Sequence, residues 1–189
     1  MAQSGSSIIE GILISEVKIG EASTAPLATE SALTALLEQS FPNTFDGRSF
    51  FKQEPHNRII ANTPDRLIAQ VGIDRRIINV GGNHIKIVGV IDLCVAEDYR
   101  NRGIAKALLR AVENCSDDRE FVVLMADNQA VYTGSGFVSL RPAITKWLAI
   151  EDVSSHSVME RDLSDCFMYK SLQNTKWPDG KIDLLGYLF

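Results

Sequence analysis

A chain of 189 residues is long enough to bury a core of its own, and a single domain over residues 1–189 is the expectation. With 45% hydrophobic and 23% charged residues it has the make-up of a soluble globular protein. Its net charge of -5 argues against a general nucleic-acid binder, which needs a basic footprint.

Residues 8–20 hold enough isoleucine and valine for a first strand. Leu27, Ala28, Leu33, Leu36 and Leu37 recur at helical spacing and predict a helix over 25–39. Phe41-Pro42-Asn43 ends it, since proline disfavours helix at the residue before it. Residues 45–51, rich in phenylalanine, read as a loop or short helix. Residues 58–61 and 67–73 read as strands joined by the turn sequence Asn62-Thr63-Pro64-Asp65. Residues 75–80 continue the second strand, and Gly81-Gly82-Asn83 makes the next hairpin turn.

Residues 85–111 organise the chain. A largely apolar, β-branched strand over 85–96 carries one charge after Lys86, the carboxylate of Asp92. A polar turn, Glu97 to Gly103, follows. Ile104, Leu108, Ala111 and Val112 then recur as one face of a helix. Gly103 opens that helix, where free N–H groups and the positive end of the dipole lie. Arg100, Arg102 and Lys106 add full charges around the same point, so the turn reads as a phosphate or pyrophosphate cradle.

Residues 114–118 stop the helix, and 121–125 read as a short buried strand. Asn128 is the expected N-cap of a short helix that carries Tyr132. A strand over 138–150, interrupted at Pro142, and a last strand over 166–172 complete the list. Cys94, Cys115 and Cys166 are an odd, unpatterned set, read as reduced thiols of a cytoplasmic protein. His56, His84 and His156 are scattered, and no metal site is expected. No apolar run approaches the ~18 residues of a membrane-spanning helix, and residues 1–11 lack the features of a signal peptide.

Arg100-Asn101-Arg102-Gly103-Ile104-Ala105, preceded by its apolar strand and followed by its amphipathic helix, resembles the R/Q-x-x-G-x-G/A signature of the GNAT N-acyltransferases. Tyr132 to Phe137 is similar to the Y-x-x-x-G-F ending of many such domains. Residues 45–61, with Gly47-Arg48-Ser49-Phe50 and Pro55-His56-Asn57-Arg58, look like the front half of the nodulation N-acyltransferases. Trp177-Pro178-Asp179-Gly180 resembles that group and one branch of the aminoglycoside N-acetyltransferases. The chain departs from both by continuing over residues 185–189.

The resemblance implies an α+β fold: a mixed, mostly antiparallel sheet of six or seven strands with helices on both faces. It implies acetyl-CoA as cosubstrate, without metal. Its pyrophosphate would meet Arg100, Asn101, Arg102, Gly103, Ile104, Ala105 and Lys106. Its pantetheine arm would meet Leu93, Cys94 and Val95, whose N–H groups could serve the thioester carbonyl, with Asn128 on the same cofactor side. The arm is expected in a cleft where the strands over 85–96 and 121–125 run parallel and splay. The acceptor expected is a small-molecule amine, attacked directly; nucleic acid and membrane are not expected partners, and a monomer or a homodimer is left open. Long-chain acyl transfer to an amino sugar, or a non-catalytic acyl-CoA-binding module, are the alternatives.

Acyl transfer from a thioester to an amine needs a neutral amine, a stabilised oxyanion and a protonated leaving thiolate. Tyr132 is the candidate acid, because a phenol of ordinary pKa near ~10 holds its proton at neutral pH. Asp92 is the candidate base, because a carboxylate in an apolar run must find partners or take a raised pKa. Cys94 has no neighbouring activator in sequence and reads as a small apolar residue, not a nucleophile. Trp177 reads equally as an acceptor-site wall or as packing.

Overall fold

The computed structural model describes residues 7–9, 11–18, 29–116, 118–151 and 154–189. In chain order its elements are β1 (Ser7–Ile9), β2 (Ile12–Lys18), α1 (Glu30–Ser40), β3 (Asn57–Asn62), β4 (Leu67–Val80) and β5 (Asn83–Val95). A turn of 3-10 helix (Glu97–Tyr99) leads to α2 (Ile104–Asn114). Then come β6 (Phe121–Met125), α3 (Ala130–Thr133), β7 (Val138–Ser139), β8 (Ile144–Glu151), β9 (Ser154–Asp162), β10 (Phe167–Ser171) and β11 (Ile182–Tyr187). The α+β class and the mostly antiparallel pairing agree with expectation, with more strands than six or seven.

The chain divides into two compact units. The first comprises the described residues up to Ile73 together with Ile91–Cys115. Here β1, β2, β3 and the first half of β4 form an antiparallel meander. Residues 8–20 were expected as one strand, but the described residues there belong to two, β1 and β2, paired antiparallel; residues 10, 19 and 20 lie outside the described residues. Helix α1 begins at Glu30 because the Thr29 hydroxyl accepts the Ala32 N–H at 3.2 Å. Leu33, Leu36 and Leu37 form its buried stripe. The earlier part of the expected helix, with Leu27 and Ala28, lies outside the described residues. The phenylalanine-rich segment is a loop: Phe45 is buried with its ring against Phe41 and Phe51.

The second unit is Asp74–Val90 with Ser116–Phe189. Its β5 and β6 pair in parallel through Ile87↔Phe121, Val88↔Val122 and Gly89↔Val123. β10 pairs antiparallel with β6 and β7, β11 antiparallel with β4 and parallel with β8, and β9 antiparallel with β8. Its core gathers Ile78, Ile87, Phe121, Phe167, Trp177 and Leu184.

Two strands correct the expected list. Residues 166–172 do not hold the last strand, because β11 follows. β9, of sequence SSHSVMERD, was not expected at all. It is mostly exposed and is held by its ladder to β8, so it offers neither alternation nor an apolar run to read. No helix among the described residues is long and apolar enough to cross a membrane.

Candidate active site

The polar turn of the first unit is built by its own backbone. The Ala96 N–H donates to Ile68 O at 2.8 Å and so fixes the end of β5. Arg100 Nε donates to Val95 O at 3.1 Å, and Arg102 Nη2 to Asp98 O at 2.9 Å. The Arg102 guanidinium also lies over the Tyr99 ring, 4.9 Å from its centroid, where cation and π-face attract. Arg66 pairs with Asp98 and covers the same ring. Asn101 and Gly103 take left-handed backbones, at φ 61° and 78°.

Gly103 is the N-cap of α2. The first intrahelical bond of that end runs from Ala107 N–H to Gly103 O at 3.0 Å. The N–H groups of Gly103, Ile104, Ala105 and Lys106 therefore stand outside the helical ladder. Ile104 is buried and anchors the turn, while Arg100, Asn101, Arg102 and Lys106 are exposed around it. A Cβ built on Gly103 meets nothing within 4 Å, so the space beside the Gly103 Cα is open. Unladdered donors, an open face and exposed cations together fit a diphosphate.

Within β5, Asp92 takes a left-handed backbone at φ 52°. Leu93, Asp92 and Val95 are half-buried, and Cys94 is buried at 6% exposure. Burial raises the Asp92 carboxyl to about 6, against the pull of the nearby Arg58 guanidinium. Arg58 is itself buried, and its own pKa is lowered by desolvation. It donates to Gln70 Oε1 at 2.7 Å and to Ser49 O at 2.5 Å. Gln70 Nε2 in turn donates to the Asp92 carbonyl. The Cys94 thiol is pushed up to about 11 by burial, so it stays protonated at neutral pH.

In the second unit Tyr132 sits on the single turn α3, half-buried, with its ring edge-on to Phe137 at 6.0 Å. Burial raises its pKa, so the phenol holds its proton. Asn128 is exposed and does not cap α3, which corrects the sequence expectation. The N-cap is Gln129, whose side chain is taken up elsewhere: it donates to Asp165 O at 2.7 Å and accepts from Ser139 Oγ at 2.5 Å. These long-range bonds, rather than a local cap, start the turn. Trp177 is 4% exposed and packs on Phe121, Phe167 and Tyr169, so it is core and not an open wall.

The family profile of the acetyltransferase (GNAT) domain matches residues 23–139. The chain belongs to the GNAT acetyltransferase family. The match contains the cradle, Asp92 and Tyr132, and it makes the chain an N-acetyltransferase. No curated protein sequence matches this GNAT chain. Among solved structures, the GNAT-family N-acetyltransferase YhbS of Escherichia coli, in complex with CoA, superposes with a TM-score of 0.59 at 19% identity. That superposition covers 81% of this chain and 82% of that one. An IAA acetyltransferase of Bacillus cereus superposes with a TM-score of 0.51 at 14% identity, over 85% of this chain and 99% of that one. A GCN5-related N-acetyltransferase of Anabaena variabilis gives 0.53 at 21% identity, over 67% of this chain and 32% of that one. At these identities the likeness is one of fold.

Within the first unit the structure places Asp92, Leu93, Cys94, Val95 and residues 100–106 along one strand-turn-helix segment. Tyr132 and Asn128 belong to the second unit. Sequence reading missed Arg58 and Gln70. Gln70 carried a visible signal, a polar residue inside the apolar run LIAQVGI, whereas Arg58, at the start of RIIA beside Asn57, carried none.

Proposed function

We propose that this GNAT protein transfers the acetyl group of acetyl-CoA to a primary amine of a small molecule by direct attack, with residues 1–189 acting as one domain. The observation that carries the reading is the turn at Gly103: N–H groups outside the helical ladder, open space at the Gly103 Cα, and Arg100, Arg102 and Lys106 exposed around them. Acetyl-CoA supplies a thioester, whose acyl carbon an amine can attack. The cradle residues Arg100, Asn101, Arg102, Gly103, Ile104, Ala105 and Lys106 hold the diphosphate through backbone donors and charge. Leu93, Cys94 and Val95 line the arm and offer N–H groups for the carbonyl oxygen.

Asp92 accepts the proton that the amine sheds. A pKa of about 6 leaves it mostly ionised at neutral pH yet basic enough for the task. Tyr132 donates a proton to the leaving thiolate, and its raised pKa keeps that proton available. Asn128 is proposed on the cofactor side as an exposed polar group, not as a helix cap. The test is a thiol-release assay across a panel of amines, run beside calorimetry with CoA. Release with at least one amine supports the reading. Tight CoA binding without release from any amine would make the protein an acyl-CoA-binding module instead.

A further inference from the structure

Two buried polar side chains of the first unit, Gln70 of β4 and Arg58 of β3, stand in one chain of hydrogen bonds. The β4 stretch Leu67–Ile73 is buried throughout, and its one side chain with polar atoms is the amide of Gln70, at 0% exposure. In β3 the buried charge is Arg58, at 5%. A buried amide without partners costs free energy, so each must be held by bonds. The bonds form a chain: Arg58 donates to Ser49 O and to Gln70 Oε1, and Gln70 Nε2 donates to the carbonyl of Asp92. The amide's orientation follows from chemistry, because a guanidinium only donates and must face the oxygen.

The carbonyl at the end of this chain belongs to the residue that leaves the extended conformation. A left-handed non-glycine residue costs ~1–2 kcal/mol and persists only where its surroundings hold it. It also turns the peptides that follow, which carry the N–H groups of Leu93, Cys94 and Val95. We propose that Gln70, braced by Arg58, is a positioning residue for acyl transfer: its amide holds the Asp92 carbonyl, and so sets the direction of the backbone donors that follow. This rests on the acetyl-transfer reading above. Packing alone does not call for an amide at Gln70, since Ile68, on the same face of β4, is buried with an apolar side chain.

The test compares Gln70→Glu and Gln70→Met with wild type. Both keep the volume. Glutamate keeps the acceptor for Arg58 but loses the donor to Asp92, and methionine loses both. Three readouts are taken: kcat with a responsive amine, CoA affinity by calorimetry, and amide hydrogen exchange of residues 93–95 against residues 59–61. The expected result is a fall in kcat of about 10–100-fold, the scale of a displaced catalytic group. CoA affinity should stay within a few-fold, because the cradle is untouched. Exchange should quicken at 93–95 and not at 59–61.

Wild-type kcat in both variants overturns the proposal. So does a parallel loss of kcat, CoA affinity and protection in β3, which would mark Gln70 as an ordinary core residue. If the wild type binds CoA but releases thiol with no amine, the acetyl-transfer reading falls by itself. Exchange then decides: faster exchange confined to 93–95 in the glutamate variant upholds the brace, and unchanged exchange overturns it.

Discussion

Replacing Gly103 by asparagine isolates what the cradle does. The residue sits at φ 78° and ψ 3°, a left-handed conformation that costs most L residues ~1–2 kcal/mol but that asparagine adopts readily. Nothing lies within 4 Å of a Cβ placed there, so the free protein meets no clash. Gly103→Asn should therefore unfold within about 1 kcal/mol of wild type. The same Cβ and amide occupy the open space in which the diphosphate is proposed to sit. A displaced hydrogen bond to a charged group is worth about 1.5–3 kcal/mol, which corresponds to roughly 10–100-fold in Kd. Calorimetry with CoA, beside thermal unfolding, measures both quantities. Gly103→Val adds a β-branched residue in the left-handed region and should lose stability as well as affinity. A folded Gly103→Asn protein with wild-type CoA affinity would refute the cradle.

The acid limb of the rate profile should lie at about 6, with activity rising as pH rises, because Asp92 must be ionised to accept a proton. Asp92→Asn should flatten that limb and lower kcat, whereas Arg58→Met, by removing the charge that holds the pKa down, should move the limb to higher pH. A wild-type limb that stays in place in Asp92→Asn would remove Asp92 as the base. Tyr132→Phe should lower kcat by about 10²–10⁴-fold with CoA affinity within a few-fold, and unchanged turnover would dismiss the phenol. Cys94→Ala should keep most of its turnover, since its thiol is protonated at neutral pH, and a thousandfold loss (~10³) with normal CoA binding would revive a covalent route.

The local sequence determined the strand-turn-helix of residues 85–114, because its signals are short-range. They are a β-branched run, a glycine at the helix entry, and apolar residues at helical spacing. The hairpin of β3 and β4 was legible for the same reason, from its turn residues. Only the tertiary structure decided the rest. β9 exists through its partner β8, and the α3 turn starts at Gln129 because Asp165 and Ser139, distant in sequence, take up that side chain. Asp92 could be singled out from sequence as a costly charge. Its left-handed backbone, its pKa of about 6 and its brace of Gln70 and Arg58 could not. Desolvation and long-range hydrogen bonds depend on which strands lie side by side, and that is a property of the folded sheet rather than of any stretch of chain.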